Sequence, residues 1–168
     1  MVEMQLHAVR VELPTNNPVV LLQEVGGAGR TLPIFIGPPE ATAIAFALQG
    51  VATSRPLTHD LMRDMLVALG VTVERVVITE LREGIFYAEL HLDHAGRKEI
   101  ISSRPSDAIA LAARLGTSIF CDDDLIDAEG MVLPADEDED DEDSENPEEI
   151  VNEFKSFIEN IRPEDFTS

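Results

Sequence analysis

A run of acidic residues divides this chain more sharply than any other feature of its sequence. Of the eleven residues from 135 to 145, nine are Asp or Glu. Like charges at this density repel one another, and the run has almost no apolar side chains to bury, so it cannot join a compact core. We therefore expect residues 1–134 to form one folded domain and residues 135–146 to form a disordered linker.

Beyond the linker, residues 147–162 have the pattern of an amphipathic helix. Pro147 suits the first helical position, and apolar residues follow at spacings of three and four. They are Ile150, Val151, Phe154, Phe157, Ile158 and Ile161. Such a stripe needs a surface to cover it, and two alternatives are open: it docks on its own domain or a second copy, or it is a ligand helix for another protein.

The charge of the chain limits how it meets nucleic acid. The formal net charge is −21, and 15 of the 33 acidic residues lie after Pro134. A field of this sign repels phosphate backbones, so sequence-independent adhesion to nucleic acid is disfavoured. Any role with nucleic acid must use a local site.

The sequence indicates a reducing compartment. Cys121 is the only cysteine, which excludes an intramolecular disulfide framework and a cysteine-rich zinc site. The first residues lack the basic and apolar regions of a signal peptide, and no later segment has the apolar length of a membrane span. We expect a cytoplasmic protein with no membrane partner.

Apolar periodicity predicts an α+β fold. Residues 4–13 alternate at period two with one shift of phase, which indicates a strand with a bulge. Two more strands, an antiparallel meander over residues 71–102 and a short strand at 118–121 follow, with helices predicted at 41–49, 57–69 and 105–115. The order does not alternate strictly, so we expect a mixed, largely antiparallel sheet with three main helices packed on it. In the second helix one face is apolar: Leu61, Met62, Met65, Leu66 and Leu69.

The start of the second predicted helix concentrates polar chemistry. Arg55 and Thr58 could hold a phosphate at the helix N-terminus, where free N–H groups favour anions. His59 could move a proton near neutral pH, and Asp60 could orient it or bind a cation. The structural alternative is that Thr58 is an N-cap and Asp60 only complements the helix dipole.

The start of the third predicted helix has the same ingredients without the histidine. Arg104 could clamp a phosphate through two hydrogen bonds, with Ser106 beside it. Asp107 falls in the first turn, where it could cap the backbone or pair with Arg104.

Three carboxylates occupy first turns of predicted helices: Glu40, Asp60 and Asp107. If these helix starts meet at one edge of the sheet, the carboxylates could share Mg²⁺ or Mn²⁺. Sequence spacing cannot show whether they meet.

Four sequence blocks carry a resemblance to a known family. They are LPIFIG at 32–37 with EA at 40–41, RPLTHDLM at 55–62, GIFYA at 84–88, and RPSDAIALA at 104–112. In order and spacing they resemble the bifunctional nuclease domain family over residues 2–133. The resemblance implies a compact α+β domain that self-associates, and a nuclease that acts on both DNA and RNA.

Two hypotheses for function follow. The first is a phosphodiesterase in which His59, Asp60, Arg104 and Asp107 are the catalytic candidates. In that case the chain binds DNA or RNA and forms a homo-oligomer, with a dimer as the first expectation. The second is a non-catalytic regulatory or binding module that takes a small anionic ligand or a basic partner protein.

The acidic tail itself generates a prediction. If it occupies a basic groove as an internal mimic of nucleic acid, truncation after Pro134 should raise the affinity for labelled DNA or RNA at low salt. Titrations of the full and truncated chains at matched ionic strength measure this. Equal affinity with and without the tail would contradict it.

Overall fold

The structure is a computed structural model that describes residues 1–12 and 15–132. The predicted linker and the predicted helix at 147–162 lie outside the described residues. The predicted division of the chain at Pro134 therefore stays a prediction.

Among residues 1–12 and 15–132, seven strands form one mixed sheet. They are β1 (Val2–Glu12), β2 (Asn17–Glu24), β3 (Thr31–Phe35), β4 (Val71–Arg82), β5 (Ile85–His94), β6 (Arg97–Ser103) and β7 (Ile119–Cys121). Their order across the sheet is β3-β2-β1-β7-β4-β5-β6. Every neighbouring pair is antiparallel except β4 and β7, which are parallel. The mixed, largely antiparallel sheet of the prediction is confirmed.

Local signals in the strands appear where the sequence placed them. The register of β1 against β2 shifts between Leu6 and Ala8, which is the predicted bulge. The turn from β4 to β5 consists of Glu83 and Gly84, both with positive φ (53° and 76°). Two such residues match the twist of the flanking strands, so the meander closes tightly.

Four helices accompany the sheet in the described part of the chain. They are α1 (Pro38–Leu48), α2 (Thr58–Ala68), α3 (Pro105–Leu115) and the short α4 (Asp123–Glu129). All four contribute side chains to one apolar cluster against one face of the sheet, and α3 contributes five buried residues to it. The predicted α+β class and three main helices are confirmed. Within the described part of the chain, every helix is too short or too polar to cross a lipid bilayer.

The apolar face predicted for α2 is divided in the structure. Met62 and Leu66 pack against the core. Leu61, Met65 and Leu69, which recur every four residues, are each more than half exposed. The reason is that α2 is covered only on the side that faces α3 and the sheet, so half of its apolar stripe points outward.

A buried guanidinium ties three helices together. Arg114, in the last turn of α3, has a side chain that is 5% exposed. Its Nε donates to Oδ1 of Asp60 in α2 at 2.6 Å, and its Nη1 donates to the carbonyl oxygens of Ala43 in α1 (3.0 Å) and Ala110 in α3 (2.9 Å). A buried cation needs such partners, so this residue fixes how the helices lie against one another.

The pKa of Asp60 reports the strength of this contact. Burial alone would raise its pKa, but the hydrogen bond from Arg114 and one from the Leu57 backbone N–H outweigh burial and hold the pKa below the ordinary value of 3.8. Because the folded-state pKa is depressed, the stabilising contribution is present above about pH 4. It is lost as the pH falls through the lowered folded-state value.

We predict that Asp60→Asn lowers the free energy of unfolding by about 2 kcal/mol at neutral pH, since it leaves the Arg114 charge buried without its partner. For a chain of this size that is roughly 6 °C in melting temperature. Thermal melts between pH 7 and pH 3 should show the gap to the unmodified chain closing below about pH 4. Asp64→Asn is the matched control, because Asp64 is an exposed carboxylate on the same helix. A gap independent of pH would contradict the role given to Asp60.

Candidate active site

The first turns of α1, α2 and α3 meet, and four polar side chains touch there. Glu40 comes from α1, His59 from α2, and Arg104 and Asp107 from the start of α3. We call these four residues the Arg104 cluster. Sequence spacing could not show whether these helix starts meet. In the structure, the first turns of α1, α2 and α3 do meet.

Arg104 lies at the centre of the cluster. Its Nη1 lies 2.9 Å from Oε1 of Glu40, while its Nε and Nη2 donate to the two oxygens of Asp107 at 2.7 and 3.0 Å. These contacts occupy three of the five N–H donors of a guanidinium, which leaves two without a partner among the described residues. The side chain is 65% exposed. Arg104 is thus held in place by two carboxylates and still faces solvent.

His59 forms the inner part of the cluster. Its side chain is 10% exposed, and its Nε2 lies 3.1 Å from Oδ1 of Asp107. An ionised carboxylate can only accept hydrogen bonds, so Nε2 carries the hydrogen of this contact and the neutral ring keeps its lone pair on Nδ1. Asp107 therefore fixes both the orientation and the tautomer of His59.

Asp107 stays ionised through its neighbours. Burial alone would raise its pKa, but hydrogen bonds from Arg104 and His59 outweigh burial, and the pKa lies below the ordinary value of 3.8. In return, the hydrogen bond to Asp107 is the main cause that raises the pKa of Arg104, followed by Glu40. The cluster is a charged network across the whole neutral range.

Neither carboxylate of the cluster serves as a helix cap. Within the described residues, the hydrogen bonds and ion pairs of these two carboxylates are with Arg104 and His59 and not with a backbone N–H. The capping alternative for Asp107 is therefore replaced by its contacts with Arg104 and His59. Gly37 contributes by being small, because a Cβ atom there would collide with the Glu40 carboxylate.

Asp60 points away from the cluster, although it follows His59 directly. Its Oδ1 binds Arg114, and its Oδ2 accepts the backbone N–H of Leu57 at 3.0 Å. Sequence reasoning missed Arg114. The only signal was a basic residue in the last turn of a helix, which the helix dipole already explains.

The three predicted substrate-binding residues have different settings. Arg55 is exposed. Thr58 is exposed and is the first residue of α2. The N-cap of α2 is Leu57, so the prediction of a Thr58 cap is wrong. The Asp60 carboxylate accepts the backbone N–H of Leu57 instead. Ser106 is buried in the first turn of α3.

The carboxylates do not fit a metal site as they are arranged. Glu40 and Asp107 are both paired with Arg104, and Asp60 is paired with Arg114. Among the described residues, no group of three or more His, Cys, Asp or Glu side chains could hold a metal ion. A divalent cation between Glu40 and Asp107 would have to displace a guanidinium of the same sign.

Comparisons with known proteins identify the family of the chain. A family model described as the bifunctional nuclease domain matches residues 20–134. An uncharacterised protein of Mycobacterium tuberculosis is 44% identical over 166 residues, which cover 98% of this chain and 97% of that protein.

Plant relatives match a shorter stretch. Bifunctional nuclease 2 of Arabidopsis thaliana is 31% identical over 124 residues, and bifunctional nuclease 1 of the same plant is 29% identical over 118 residues. These matches cover 71% and 68% of this chain, but only 38% and 36% of the plant proteins. The family match over most of the chain and the blocks at the Arg104 cluster lead to one conclusion: the chain belongs to the bifunctional nuclease domain family.

Proposed function

We propose that the chain is a nuclease that hydrolyses phosphodiester bonds of DNA and RNA at the Arg104 cluster. The observation that carries the proposal is the contact chain from Glu40 through Arg104 and Asp107 to His59 at three helix starts. A family named for nuclease activity supports the same chemistry.

Arg104 is the residue that would bind the phosphate. Its two remaining N–H donors can meet phosphate oxygens without breaking the ion pairs that hold the side chain. The N-termini of three helices add positive potential at the same place. Negative charge that develops on the phosphoryl oxygens would therefore be stabilised by groups that are already oriented.

His59 is the residue that would move the proton. With Nε2 bound to Asp107, Nδ1 can take a proton from water as the water attacks phosphorus, and return it to the leaving oxygen. Asp107 stays ionised and stabilises the imidazolium that forms. Glu40 holds the other side of the guanidinium, so it is a positioning residue in this scheme.

The remaining candidates have supporting parts. Arg55 and Thr58 are exposed near His59 in sequence and would contact the nucleic acid backbone beside the scissile phosphate. Ser106 and Asp60 would support the Arg104 cluster from inside the protein, because Ser106 is buried and Asp60 is bound to Arg114.

The proposal predicts that purified chain cleaves single- and double-stranded substrates and that His59→Asn and Arg104→Lys each reduce kcat/KM by about 100-fold or more. Lysine keeps the charge but loses the paired donors, so it should not replace Arg104. The measurement is single-turnover cleavage of end-labelled DNA and RNA.

Two matched controls accompany these variants. His94→Asn and Arg97→Lys change the same residue types at exposed positions of the sheet, and both should retain full activity. Equal cleavage by the cluster variants and the controls would assign the activity to another site or to a contaminant.

The second candidate function is a module that binds a small anion without turnover. It is favoured by the two carboxylates that already bind Arg104, because they leave only two of its N–H donors for a ligand. An anionic ligand that raises the melting temperature only when Arg104 is present would support this function, provided that no substrate is cleaved.

The arrangement of Glu40, Asp60 and Asp107 gives the expected use of Mg²⁺ or Mn²⁺ a clear test. Because each carboxylate is already paired with an arginine, we predict that excess EDTA reduces cleavage by less than about threefold, far below the loss expected when a catalytic metal is removed. Assays with EDTA, and with EDTA plus each metal, measure this. Abolition by EDTA and recovery with one metal would show that a cation rearranges the cluster.

Self-association is likewise proposed. Leu61, Met65 and Leu69 form an outward apolar stripe on α2 that a second copy could cover.

A further inference from the structure

Strand β6 forms one edge of the sheet. It is last in the strand order, and its pairing with β5 runs from Arg97 opposite His94 to Ser103 opposite Ala88 without a register shift. Within the described residues, β5 is the only strand that pairs with β6. An edge strand presents a row of unpaired backbone N–H and C=O groups, so it can pair with a further strand.

The two edges of the sheet differ in their protection against such pairing. The other edge, β3, has five residues, contains Pro33, and is bridged at Thr31 by Met131. Short length and proline both prevent the addition of a strand. β6 has seven residues, no proline and no bulge. It is therefore the edge of the described sheet that can accept another strand.

β6 exposes an isoleucine on each of its faces. Ile100 is 58% exposed and Ile101 is 49% exposed. Ile101 is opposite the core residue Leu90, so it lies on the face of the sheet that carries the helices, and Ile100 lies on the other face. Apolar side chains on both sides of an open edge favour a protein neighbour over water.

The charged residues of β6 have partners within the chain. Lys98 pairs with Glu74 and with Asp93, and Nε of Arg97 lies 2.6 Å from Oε1 of Glu99. A lysine on an edge strand ordinarily discourages pairing with another strand. Because both cations of β6 are already matched by carboxylates, this protection is weakened.

The helices are arranged so that α2 is the one nearest to β6. α1 contacts β1 and β2, whereas α3 contacts β4 and β5 as well as both α1 and α2. Along the sheet toward β6, the order of the helices is therefore α1, α3, α2.

The exposed stripe of α2 points away from α3. His59 and Asp60 point toward α3, where they contact Asp107 and Arg114. At about 100° per residue, the opposite side of the helix carries the stripe. Its members are Leu61, Met65 and Leu69, each more than half exposed. The stripe and the open edge of β6 thus lie on the same side of the molecule. We call Arg97–Ser103 and these three residues the β6 surface.

The β6 surface has the size of a stable interface. The seven residues of β6 extend about 24 Å, and a sheet layer with a helix layer on it is about 20 Å deep. A flat surface of these dimensions measures about 500 Å² on each copy, and the relief of side chains adds to it. Stable interfaces bury about 1,200 Å² or more in total.

A second copy fits this surface through a two-fold axis. With the axis at Ile100, antiparallel pairing places Ile100 opposite its equivalent in the partner. Lys98 then faces Ser102 of the partner subunit, and Arg97 faces Ser103 of the partner subunit. The charged half of each strand therefore meets the hydroxyl half of the other, and like charges are not opposed. The same operation brings the two α2 stripes together, as expected for an interface that uses one surface twice.

We propose that the chain forms a dimer in which β6 pairs antiparallel with β6 of a second copy, while the two α2 stripes pack against each other. The two seven-stranded sheets then become one continuous sheet. This gives the proposed self-association a defined surface, and it does not rest on nuclease activity.

Mass measurements on the full chain test the pairing. By light scattering after size exclusion, we expect twice the 18.4 kDa of one chain. Ile100→Lys places two like charges opposite each other at the axis, and Met65→Lys puts a charge in the α2 contact. Each should raise the dimer dissociation constant at least 100-fold. The matched control is Ile85→Lys, because Ile85 is 59% exposed but lies at the start of β5, outside the β6 surface. It should leave the dissociation constant unchanged.

A cysteine crosslink tests the register without adding charge, so it stands even where a lysine variant fails to fold. Cys121 is buried, and burial raises the pKa of its thiol to about 12, so the native cysteine does not interfere. Ile100→Cys should form a disulfide between two copies under mild oxidation, because opposite residues of an antiparallel pair have Cα atoms within about 5.5 Å. Ile85→Cys should not.

The outcomes separate this interface from self-association in general. A monomeric unmodified chain would overturn both. A dimer that Ile100→Lys and Met65→Lys leave as stable as Ile85→Lys does would overturn only the β6 pairing and assign the dimer to another surface. Crosslinking through position 85 but not through position 100 would lead to the same conclusion.

Discussion

The arrangement of the site depends on one buried ion pair, that between Arg114 and Asp60. Arg114 satisfies its charge with a carboxylate of α2 and with backbone carbonyls of α1 and α3. Adjacent residues of a helix point about 100° apart, so once Asp60 is turned toward Arg114 the direction of its neighbour His59 is set. That direction places the imidazole against Asp107. A contact whose role is structural thereby orients the residue proposed to carry the proton.

Much of the architecture could be predicted from the sequence because its signals are local. Alternation in β1 predicted a bulge near the middle of the strand, which the structure places between Leu6 and Ala8, and Pro105 with Gly116 bounded α3. The order of strands could not be predicted in the same way. The parallel pairing of β7 with β4 joins residues about 43 positions apart, and no local pattern specifies such a partner. The exposure of Leu61, Met65 and Leu69 could not be predicted either, because apolar spacing does not tell which side of a helix is covered.

The candidate site shows the same division. Residue types at helix starts identified Glu40, His59, Arg104 and Asp107, because free N–H groups and positive potential make those positions suited to anions. The sequence could not separate a capping carboxylate from one that binds a guanidinium, since both occupy the third helical position. The structure separates them: Asp60 accepts the Leu57 N–H, whereas Glu40 and Asp107 both bind Arg104.

The central strand β7 has a consequence for how the chain matures. It has only three residues, Ile119–Cys121, yet among the described strands it alone joins the β1–β3 half of the sheet to the β4–β6 half. Both halves are complete in the nascent polypeptide before β7 leaves the ribosome. Until then each half is a separate meander with two free edges, so the joined sheet can form only after this short strand has been synthesised and is inserted between them.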